Sequence, residues 1–95
     1  MPLSKTEVAL AVRKGLELLT KTPTAKIPND AELAADLGMD SLTAVKLIVI
    51  VEEELGVQLP PGGESHLVGM RTTADLVIGF QRAFGLSVEG ARVKR

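Results

Sequence analysis

Between Asp40 and Gly56 the chain runs from Ser41 to Leu55 without a glycine, a proline or any other turn signal. Within that stretch Leu47-Ile48-Val49-Ile50-Val51 suits a buried strand, because four of its five residues are β-branched. Length argues for a helix instead. Strands are ordinarily about 5–6 residues long, and no other segment alternates strongly enough to pair with one. On a helix, Asp40 is the N-cap, Ser41 the first helical position and Gly56 the C-cap. Only Lys46 interrupts the apolar residues from Ala44 to Val51. The helix is therefore expected to be buried over most of its circumference, with the rest available to a partner.

The remaining segments read as helices and long connections. Ser4-Lys5-Thr6-Glu7 has the form of a capping box, and Val8, Ala11, Val12, Leu16 and Leu19 follow at helical spacing, predicting a helix from about Lys5 to about Leu19. Residues 20–30 hold Pro23, Pro28 and Asn29, which makes them a loop that must pin itself to the surface through Ile27. Leu33, Ala34 and Leu37 suggest a helical turn ending at Gly38. Pro60-Pro61-Gly62-Gly63 breaks the chain, so residues 64–69 form at most a short helix. Thr72 or Thr73 then caps a last helix with Leu76, Val77, Phe80 and Phe84 on one face and Gly85 at its end. The expected architecture is all-α: a four-helix bundle with a short third helix and a long first loop, occupying residues 1–86, followed by a basic, flexible tail over residues 87–95.

Composition removes several functions. Phe80 and Phe84 are the only aromatics, so there is no platform on which bases could stack, and nucleic acid is not an expected ligand. No apolar run approaches the roughly 20 residues a membrane span needs, and the first residues do not open a signal peptide. A soluble, cytoplasmic monomer is the expectation. With no cysteine there are no disulfides, no thiolate metal sites and no protein thiol. The net charge of −1 conceals a segregation: residues 30–64 carry eight acids against Lys46 alone, while both flanks are basic. Such a block is ordinarily a solvated face; it also suits a partner with a positive surface.

The segment Asp36-Leu37-Gly38-Met39-Asp40-Ser41-Leu42 carries the candidate chemistry. Asp40 can satisfy the free amides at the helix start, leaving the outward-pointing hydroxyl of Ser41 available for modification. A phosphate on that oxygen would sit at the positive end of the helix dipole. Most serines at helix starts are caps without chemistry, so this pattern alone assigns none.

The run Asp36 to Val45, followed by Glu52-Glu53-Glu54-Leu55-Gly56-Val57 and Leu59-Pro60, resembles the attachment site and second helix of acyl carrier proteins, including the carrier domains of fatty acid and polyketide synthases. The resemblance spans roughly residues 5–84 and is most specific between Asp36 and Pro60. It implies a non-catalytic carrier. A phosphopantetheinyl transferase, using coenzyme A and magnesium, would attach 4'-phosphopantetheine covalently to Ser41, and the thiol of that arm would hold acyl intermediates as thioesters. The implied partners are that transferase and acyl-loading and acyl-processing synthase enzymes. Asp40, Leu42, Val45, Lys46, Val49 and Glu53 are the expected motif and docking residues, with Leu42, Val45 and Val49 forming an apolar stripe.

Catalysis by the chain itself is not expected, because no base is placed to activate Ser41 and the sole histidine, His66, lies in the glycine-rich connection. Nor is a metal site: Glu52, Glu53 and Glu54 at consecutive helical positions fan apart rather than converge. Where fatty acid carriers usually place acids two and five positions after the modified serine, this chain has Thr43 and Lys46. The sequence around Ser41 resembles polyketide carriers most, and it lacks the Gly-Gly-x-Ser of peptide synthetase carriers. A discrete carrier for polyketide or related secondary metabolism is therefore the leading expectation. A fatty acid or aminoacyl carrier, or an unmodified helical interaction module of the same fold, is the alternative.

Overall fold

The computed structural model describes residues 3–86; the expected basic tail, residues 87–95, lies outside them. Three α-helices make the frame: α1 over Lys5–Thr20, α2 over Ser41–Leu55 and α3 over Thr73–Ala83. Two short 3-10 helices, Thr24–Lys26 and Gly63–Leu67, interrupt the connections. The all-α expectation holds, and the position of the short third helix is taken by the 3-10 segment Gly63–Leu67. The turn expected around Leu33 to Gly38 is a pair of i to i+4 hydrogen bonds, Asp36 N to Glu32 O and Gly38 N to Ala34 O, closed by Gly38 at φ 68°.

Local sequence explains the helix ends. Ser4 and Glu7 form the reciprocal capping box of α1, and Thr72 and Asp75 form that of α3. Gly56, at φ 72°, stops α2 in the left-handed conformation that glycine adopts without a Cβ penalty. The end of α1 has no such signal: Lys21 takes the left-handed cap position at φ 58°.

The core joins Val8, Ala11, Val12 and Leu16 of α1 to Leu47 and Val51 of α2 and to Leu76 and Phe80 of α3, with Ile27 and Leu33 contributed by the first connection. α1 packs on both other helices, whereas no Cα of α2 lies within 8 Å of one in α3. The expectation that α2 is buried on most of its circumference is therefore corrected. Only Leu47 and Val51 are fully buried, Ile48 and Ile50 are half-buried, and Val45 and Val49 are exposed. With α1 as its one helical neighbour, α2 has an inner stripe and an outer face, and its β-branched run supplies both.

Two devices hold the long connections. Arg13 of α1 donates to Asn29 Oδ1 at 3.0 Å, to the Thr24 carbonyl at 3.2 Å and to the Ile27 carbonyl. One planar guanidinium thus fixes the loop that carries Ile27 into the core, where it is 1% exposed. Farther on, residues 29–33 pair with the chain entering α3 through Leu33 N to Arg71 O, Thr73 N to Ala31 O and Ala74 N to Asn29 O. The Gly63–Leu67 segment lies directly on α3. A Cβ on Gly79 would stand 2.8 Å from the His66 carbonyl oxygen and 2.9 Å from Met70 Sδ.

Arg13→Ala is expected to cost about 1.5–3 kcal/mol, the range for hydrogen bonds to charged groups, read as a fall in the denaturant midpoint, with Arg13→Lys restoring little because an ammonium lacks the fork. An unchanged midpoint would contradict the clamp. Gly79→Ala is expected to destabilise by up to about 2 kcal/mol net, since overpacking costs about 1–3 kcal/mol and mid-helix alanine returns about 1. A Gly79→Ala variant more stable than the native chain would show that the segment can retreat freely from α3.

Candidate functional site

Ser41 is the first residue of α2 and is exposed. Its cap is made by its neighbour: Asp40 Oδ1 accepts from the Thr43 amide at 2.9 Å and from the Thr43 hydroxyl at 2.8 Å. Asp40 thereby satisfies the orphan donor that a serine cap would otherwise take. Among the described residues Ser41 Oγ takes part in no hydrogen bond. An uncommitted hydroxyl at the positive end of a fifteen-residue helix fits a group attached through phosphate.

The bonds from the Thr43 amide, and then from its hydroxyl, stabilise the charged carboxylate and hold the Asp40 pKa below its ordinary 3.8, with Lys46 the smallest contributor. Here Thr43 has a local purpose: it locks the carboxylate that caps the helix.

Beside Ser41 lies a cavity of about 290 Å³. It is lined by Leu33, Met39, Ala44, Leu67, Met70 and Leu76, together with Asp40 and Ser41. It occupies the space left where α2 and α3 do not meet. Its lining is mainly apolar, and Met39 and Met70 are flexible enough to reshape it. Sequence reasoning missed this cavity, because its walls come from two stretches far apart in the chain, residues 33–44 and 67–76.

The other expected residues share the outer face of α2. Leu42 is 64% exposed, Val45 57% and Val49 48%, and Lys46 and Glu53 are exposed with them. The three adjacent glutamates have separate roles. Glu52 accepts from the Leu59 amide at 2.7 Å, Glu54 pairs with Lys14 at 3.3 Å, and Glu53 has no ionic partner among the described residues. No cluster of His, Cys, Asp and Glu among the described residues could hold a metal ion. His66 is exposed in the Gly63–Leu67 segment. No helix in the described residues is long and apolar enough to cross a membrane.

The Asp40 contribution to stability has a defined sign. Because its pKa is lowered in the folded chain, the contribution is complete well above 3.8 and is lost as pH falls from there through the lowered value. Carboxyl-carbon NMR is expected to give an Asp40 midpoint below 3.8, with the Thr43 amide shift moving in step. A midpoint at or above 3.8 would mean that the cap does not form in solution.

Comparison with known proteins agrees with this geometry. Residues 11–62, more than half of the chain, match the family described as phosphopantetheine attachment site. The chain is 30% identical over 94 residues to an acyl carrier protein of Rhodococcus erythropolis, covering 99% of this chain and 97% of that one. It is 28% identical over 95 residues to the meromycolate extension acyl carrier protein of Mycobacterium tuberculosis, covering all of this chain and 80% of that protein. It is also 27% identical over 81 residues to a mitochondrial acyl carrier protein of Arabidopsis thaliana, covering 85% of this chain and 64% of the other. The chain belongs to the acyl carrier protein family, whose attachment domain bears a covalently bound 4'-phosphopantetheine.

Proposed function

We propose that Ser41 is the attachment point and that the chain carries acyl intermediates for polyketide or related specialised biosynthesis. The observation that supports the attachment is the division of labour at the start of α2: Asp40 caps the helix through Thr43, and Ser41 Oγ stays exposed and unbonded. When present, the arm supplies the terminal thiol on which cargo is held as a thioester. The residues of the chain present and shelter. Ser41 fixes the arm at the helix start, and the apolar cavity beside it can take up part of a cargo and keep it from water. The exposed stripe of Leu42, Val45 and Val49, flanked by Lys46 and Glu53, is the surface on which the transferase and the synthase enzymes dock. The carrier presents substrates and leaves the chemistry to those enzymes.

The specialised pathway is favoured by Thr43 and Lys46, which stand where fatty acid carriers usually have acids. A fatty acid role is the second reading, favoured by the relatives, which include an acyl carrier protein and a meromycolate extension acyl carrier protein. Incubation with a broad-specificity phosphopantetheinyl transferase and fluorescent coenzyme A is expected to label the native chain once and Ser41→Ala not at all. Label that persists in Ser41→Ala would overturn the assignment. Loading tests with polyketide and fatty acid condensing enzymes then separate the two pathways.

A further inference from the structure

Lys46 is the only cation between residues 30 and 64, against eight acids. It lies exposed in the middle of the outer face of α2, and its helical neighbours three and four positions away are Leu42, Thr43, Val49 and Ile50. None of these is an acid, so the helix supplies no intrahelical ion pair for it. No salt bridge joins it to another of the described residues. Leu42, Lys46, Val49 and Glu53 stand at i, i+4, i+7 and i+11, one continuous face. Glu53 stands seven positions after Lys46, about 10 Å along the axis at about 1.5 Å per residue. Because Glu52 is bonded to the Leu59 amide and Glu54 to Lys14, Glu53 is the acid of the three left for an outside partner.

The face is thus an apolar stripe with one positive charge at its centre and one negative charge about two turns farther on. We propose that Lys46 selects the partner enzyme: the enzyme that seats on α2 places a carboxylate opposite Lys46 and a basic group opposite Glu53, with apolar side chains over Leu42, Val45 and Val49. A partner whose docking patch is basic throughout meets Lys46 as a like charge at the centre of the contact, where repulsion discriminates most strongly. The proposal rests on the carrier reading of Ser41 and adds to it the chemistry of the surface that reads the carrier.

The test uses the full chain in its phosphopantetheinylated form, native and Lys46→Glu, with circular dichroism to establish that both fold and intact mass to establish that both are modified. Failure to gain the arm would count against the attachment reading and not against Lys46. The probe is a fatty acid-type malonyltransferase with an arginine- and lysine-lined carrier patch, together with its variant in which a central arginine is replaced by glutamate. The readout is kcat/KM for malonyl loading in the four pairings. The expected result is a reversal: the native chain favours the glutamate-bearing enzyme, and Lys46→Glu favours the basic one, each by about fivefold or more. A preference that does not reverse overturns the proposal. Rejection in all four pairings overturns it too, because Lys46→Glu removes the one repulsion on which it depends.

Discussion

The buried face of α1, formed by Val8, Ala11, Val12, Gly15 and Leu16, is the surface against which both other helices are laid. The approach of α2 is close: a Cβ at Gly15 would stand 2.5 Å from Leu47 Cδ1 and 3.3 Å from Ile50 Cγ2. Because α2 and α3 each reach α1 and do not reach each other, a gap remains between them. Its lining includes Leu33 and Met39 from the connection before α2 and Leu67 and Met70 from the connection before α3. The cavity and Ser41 meet at that gap. The apolar cavity and the exposed outer face of α2 are two results of one packing choice.

Electrostatics at the start of α2 refine this frame. A helix N-terminus has donors to satisfy and a positive potential that favours anions. Asp40 answers the first need by accepting from Thr43, and its carboxylate is stabilised in return. That leaves Ser41 in the same potential with its oxygen free. At the other end Gly56 stops the helix, and Glu52 turns back to hold the Leu59 amide, so the glutamate run is partly structural. A cluster of like charges need not act as a cluster: here one acid ties a turn, one pairs across to α1, and one faces solvent.

Much of this was legible in the sequence because it is written in local chemistry. The capping box at Ser4, the Asp40 cap and the Gly56 stop are short-range signals, and each forms as its residues indicate. Ile27 could be assigned to the core because it is the one large apolar residue in a polar loop. What could not be read depends on tertiary neighbours. The run Leu47 to Val51 looks uniformly buried, yet burial depends on how many elements surround a helix, and α2 has one helical neighbour on one side. The Arg13 clamp joins a helix to backbone carbonyls up to fourteen residues away, and carbonyls leave no mark in a sequence. The end of α1 carries no glycine, because Lys21 takes a conformation that its residue type does not advertise. The cavity was invisible for the same reason as the burial pattern: it is a space between elements. The position of Ser41 was visible, while its freedom from hydrogen bonding required the geometry of Asp40 and Thr43.

The account stands on Ser41 being the point where this chain is modified. The direct measurement is the intact mass of the protein purified from the cells that make it, followed by fragmentation to locate any added group. One phosphopantetheine, or its acylated form, on the fragment containing Ser41 is the predicted result. A chain that is unmodified in its own cells, or modified at another residue, would contradict the account.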